Sequence, residues 1–65
     1  MTAADTLTAA AERLRTLQPD AICLALADWL EHEARQERYY LAEFGYRMAS
    51  APAMAVARAV LGVPR

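Results

Sequence analysis

Leu26, Leu30, Ala34, Glu37, Leu41, Phe44 and Met48 follow one another at gaps of four, four, three, four, three and four residues. That is a helical period held over about six turns. Ile22, Trp29 and Tyr40 widen the stripe. The run Ala21-Ile22-Cys23-Leu24-Ala25-Leu26-Ala27 is apolar all round, so cover on more than one side is expected there. Between the two ends, Glu31 to Arg38 is polar and built from strong helix formers, with Glu31 and Arg35 spaced as a favourable i,i+4 pair. Before this segment, Leu7, Leu14 and Leu17 recur at helical spacing with Ala10 and Ala11 between them. After it, Met54, Val56, Ala57, Val60 and Leu61 supply one more apolar face.

The breakers divide these patterns. Pro19 and Pro52 precede the tail proline Pro64, and from Pro19 to Ala49 only Gly45 interrupts good helix formers. Proline suits the first turn of a helix and not its interior. The sequence therefore predicts an all-α chain of three helices, at about residues 3–17, 19–49 and 52–61, forming a single domain over residues 1–65. Thr2 or Asp5 caps the first helix, and Gln18-Pro19 ends it. Ser50 caps the third, and Gly62 with Pro64 stops it. No strand signal, glycine-rich loop or internal repeat is present.

At 1.5 Å per residue the long central helix would reach about 45 Å, and its short neighbours would each cover only one half of it. The exposed apolar face that remains predicts association. The expected solution is an antiparallel homodimeric helical bundle. Leu26, Trp29, Leu30, Ala34, Glu37, Tyr40, Leu41, Phe44 and Met48 are its core or dimer contacts, with Ala34 near the axis. Glu37 then needs a cation, Arg35 or Arg38 of the second copy. Charge favours this arrangement. Residues 1–33 carry six carboxylates against two arginines, and residues 34–65 carry five arginines against two glutamates.

Composition narrows the class further. At 65 residues and 57% apolar content inflated by alanine, the chain offers one marginal core. The longest apolar run is far short of the roughly 20 residues that span a bilayer. The start Met1-Thr2-Ala3-Ala4-Asp5 lacks a basic, apolar leader, so a cytoplasmic location is expected. The lone cysteine, Cys23, forms no intramolecular disulfide and reads as a small buried hydrophobe.

No catalytic constellation can be assembled, and no cofactor is expected. Cys23 and His32 lie nine residues apart on one helix, beyond the reach that a nucleophile and its base require. Asp28 and His32, four apart, can share a face as two metal ligands, but no second His or Cys completes a site. A small ligand- or metal-binding module is the alternative they suggest. A nucleic-acid-binding regulator is the weaker alternative, because the net charge is −1 and neither candidate recognition helix is basic. The more promising surface is a second stripe, His32, Arg35, Tyr39, Glu43 and Tyr46, since Tyr and Arg are enriched at binding hot spots. Arg35, Tyr39, Glu43 and Tyr46 are the candidate partner-binding residues.

All seven basic residues are Arg, as in proteins translated from GC-rich genomes. The stretches Ala53-Met54-Ala55-Val56-Ala57-Arg58-Ala59-Val60-Leu61-Gly62 and Leu26-Ala27-Asp28-Trp29-Leu30 resemble segments of short, uncharacterised alanine-rich helical proteins of actinobacteria and their phages. The resemblance implies a helical fold and bacterial origin, and it transfers no function. The expectation is a small, self-associating, non-enzymatic helical protein that acts as an interaction, regulatory or adaptor module. Its partner would be a second copy, with a larger protein as the alternative.

Overall fold

A computed structural model of the chain describes residues 2–17 and 20–62. Three helices account for nearly all of them: α1 (Ala3–Leu17), α2 (Ala21–Phe44) and α3 (Ala51–Leu61). The expected roles of Gln18, Pro19 and Pro64 lie outside the described residues.

Each helix starts where its sequence provides acceptors for free N–H groups. At α1, Thr2 Oγ1 accepts from the Asp5 N–H at 3.1 Å while Asp5 Oδ2 accepts from the Thr2 N–H at 3.3 Å. Both expected caps act together, as a reciprocal capping box. Asp20 caps α2 by accepting from the Cys23 N–H at 2.8 Å. Ser50 caps α3 by accepting from the Ala53 N–H at 3.2 Å, with Pro52 in the first turn.

α2 is continuous through residues 34–38, as its polar middle predicts, but it ends five residues earlier than expected. Gly45 takes a left-handed conformation (φ 74°, ψ 18°) and donates its N–H to the Leu41 carbonyl. This is the αL stop that glycine adopts without a Cβ penalty. Good helix formers on both sides of Gly45 predict a helix that crosses it, and the left-handed turn ends it instead. The 24 residues of α2 measure about 36 Å, which matches the molecule's longest dimension of 35 Å.

The second correction concerns which helix is central. α1 packs against both α2 and α3, whereas α2 and α3 touch sparingly. α1 runs antiparallel to α2: Arg38 Nη2 donates to Thr8 Oγ1 at 3.0 Å and lies 3.8 Å from Asp5, while Arg15 reaches Glu31 and Asp28, both at 2.8 Å. α1 therefore covers α2 well past its midpoint, and α3 seats on α1 rather than on residues 39–48. What α1 leaves bare is an overhang at each end of α2.

The core explains why large side chains remain outside. Among the described residues, the buried apolar positions are Ala4, Leu7, Ala10, Ala11, Leu14, Ala27, Leu30, Ala34, Ala53 and Ala57. Seven of these ten are alanine. Methyl-lined faces draw helix axes to the short end of the usual 8–10 Å spacing, leaving little volume for rings or branched chains. Leu17, the last residue of α1, is 63% exposed, and Ile22 is 74% exposed, against the cover expected for the run Ala21–Ala27. Cys23, Leu26, Trp29, Met54, Val56, Val60 and Leu61 pack on the core edge, partly buried.

Candidate interaction surface

The second overhang of α2 carries the richest cluster of exposed side chains. Tyr39, Leu41, Phe44, Tyr46 and Met48 are each between 43% and 58% exposed. Tyr40 is half-buried beside them. Four rings form one group. Tyr40, Phe44 and Tyr46 have centroids 5.5–5.8 Å apart, and Tyr39 meets Tyr40 edge-on at 5.3 Å and Phe44 at 6.1 Å. Such spacings are favourable aromatic contacts. The rings thus support one another while their outer faces stay in water.

The sequence had placed these rings on two faces, Tyr39 and Tyr46 on one and Tyr40 and Phe44 on the other. The stop at Gly45 unites them. A residue seven positions after Tyr39 on an unbroken helix returns to the same face. Beyond the left-handed glycine, Tyr46 instead turns back onto Phe44 at 5.8 Å. The signal for this was Gly45 itself, read as a tolerated interruption.

Glu37 holds the chain after the turn. It is 3% exposed, and its Oε1 accepts from the N–H groups of Met48 at 2.6 Å and Ala49 at 3.0 Å. One turn earlier, Glu33 Oε1 accepts from Ser50 Oγ at 2.8 Å. Two carboxylates on α2 thereby fix the path from Tyr46 to the start of α3. The expected need of Glu37 for Arg35 or Arg38 of another copy is overturned, because backbone donors of its own chain satisfy it. The two arginines are placed elsewhere: Arg38 on Asp5 and Thr8, and Arg35 beside Glu31 at 3.9 Å.

The expected stripe therefore divides. Leu30, Ala34 and Glu37 are buried within the chain, and Leu26 and Trp29 pack on the same core. These are core contacts, and Ala34, 1% exposed, cannot lie on a dimer axis. Leu41, Phe44 and Met48 are surface and take no part in the core of the chain. Arg35, Tyr39, Glu43 and Tyr46 are all exposed. Leu41 also borders an open groove of about 310 Å³, lined by Thr2, Ala4, Glu37, Arg38, Leu41 and Ala42, where α1 begins and ceases to cover α2.

Arg15 takes up the Asp28 carboxylate, and among the described residues no three His, Cys, Asp or Glu side chains converge. The same guanidinium grips Glu31 with both nitrogens, at 2.8 and 3.1 Å. The hydrogen bonds that Arg15 donates to Glu31 hold the Glu31 carboxyl below its ordinary range, and those it donates to Glu31 and Asp28 raise Arg15. The Cys23 thiol is pushed up, first by burial and then by the Asp20 carboxylate, which makes it a poor nucleophile at neutral pH. Among the described residues no helix is long and apolar enough to cross a membrane. Compared with known proteins, the chain matches no family model, no curated protein and no solved structure.

Proposed function

We propose that this chain is a self-associating helical adaptor or regulatory protein that acts by burying the aromatic end of α2 against protein, with the two α2 helices antiparallel in a homodimer. One observation carries the reading. Tyr39, Phe44 and Tyr46 stand about half exposed in one ring cluster with Tyr40, and Leu41 and Met48 are exposed near them in the chain. Contiguous apolar surface of this kind on a small protein marks an interaction site, and aromatic anchors supply most of the energy at such sites. The self-supporting ring cluster and the Glu37 clamp favour a preformed surface, which lowers the ordering cost of binding.

Light scattering across a range of concentrations tests it. The wild-type chain is expected at twice the protomer mass. Phe44→Asp places a charge on a 58% exposed position and is expected to give a folded monomer. A wild-type chain that stays monomeric at high concentration, with the same mass as Phe44→Asp, removes the basis for the proposal.

A further inference from the structure

We infer that two copies pair about a two-fold axis passing close to Gly45, so that Glu43 of each protomer meets the partner's Arg47. The inference rests on the association proposed above and names its register. In a two-fold contact the same patch meets itself, so a residue on one side of the axis faces its counterpart on the other. Glu43 and Arg47 are exposed, opposite in charge, and flank Phe44, Gly45 and Tyr46 symmetrically in the chain. Among the described residues neither forms an ion pair within its own protomer, unlike Arg15, Arg35 and Arg38. In a two-fold contact, a rotation that brings Glu43 onto the partner's Arg47 forms that pair twice.

Area and shape agree with a second copy as the occupant. A buried aromatic side chain accounts for about 150–250 Å², so five large side chains near half exposure offer about 500 Å² of apolar surface. With the flanking Ala42, Glu43 and Arg47 the patch approaches the roughly 800 Å² per partner of a standard interface. A Cβ built on Gly45 would meet nothing within 4 Å, so its backbone lies open at the proposed axis.

Reciprocal charge reversal tests the register. Glu43→Arg alone places Arg against Arg at both pairs of a homodimer, and Arg47→Glu alone places Glu against Glu. Each is expected to weaken dimerisation by about tenfold or more. Mixed in equal amounts, the two variants restore both pairs in a heterodimer, with affinity within about threefold of wild type. Circular dichroism of each variant shows that the fold is retained. If Phe44→Asp abolishes the dimer but the mixture associates no better than either variant alone, the surface is correct and the Glu43–Arg47 register is overturned. A wild-type monomer at all concentrations overturns both.

Discussion

Glu37 shows how a buried charge on an apolar stripe can be read two ways. On the sequence it interrupts a hydrophobic seam and calls for a cation. In the fold it accepts two backbone N–H groups at a chain reversal, a use that no helical periodicity reveals because its donors lie eleven and twelve residues on. Hydrogen bonds to a charged group contribute about 1.5–3 kcal/mol each, and orphaned donors add to the loss. Glu37→Ala is therefore expected to lower stability by about 2–4 kcal/mol in urea titration, and Glu37→Gln by less, since it keeps one acceptor. Cys23 gives a second residue-level expectation. Its raised thiol should react with Ellman's reagent at pH 7.5 more slowly than a free cysteine, and Asp20→Asn should speed that reaction while preserving the helix cap.

Helix existence, the full extent of α1 and the caps of α1 and α3 were legible because each depends on neighbours in sequence. The end of α2 was less so, since good helix formers continue past Gly45 and only its left-handed turn, secured by Glu37, decides the matter. Ser50 belongs to the same junction, and Ser50→Ala is expected to cost about 1–2 kcal/mol by thermal or chemical melts, through the lost α3 cap and the lost Glu33 contact. The alanine faces define the tightest contacts between helices. Ala10→Leu at a fully buried site is expected to destabilise by about 1–3 kcal/mol through overpacking. Ile22→Ala, at 74% exposure, is expected to be near neutral. Acid sensitivity also belongs to helix pairing. The Asp5 carboxyl is lowered chiefly by the Thr2 backbone N–H, and Glu31 by Arg15. A depressed carboxylate stabilises the fold above its unfolded value and ceases to do so as the pH falls through the folded one. Melting temperature is thus expected to hold level near neutrality and to fall as the medium acidifies through and below the carboxylate range. Arg15→Gln should shrink the part due to Glu31.

For the molecule as a whole, the sequence predicted an open apolar face and misplaced it. The hydrophobic stripe alone does not tell which stretch of α2 a neighbour will cover; that depends on helix lengths and on the antiparallel register set by Arg15 and Arg38. Among the described residues, the exposed large hydrophobic side chains fall in two groups, one aliphatic around Leu17, Ile22 and Leu24, the other largely aromatic from Tyr39 to Met48. The association proposed through the latter would make stability depend on protein concentration, because any partner that binds only the folded chain raises its melting point. Wild-type protein is expected to melt at higher temperature as concentration rises, and Phe44→Asp to show no such trend in calorimetry. Gly45 and Glu37 then share one fate. Were the backbone to keep winding past position 45, the Met48 and Ala49 amides would turn toward carbonyls one turn back, and the acid would be stranded without donors. Substitutions at the two sites should for that reason be strongly epistatic, and sequences that diverge from this one should trade both residues together or neither.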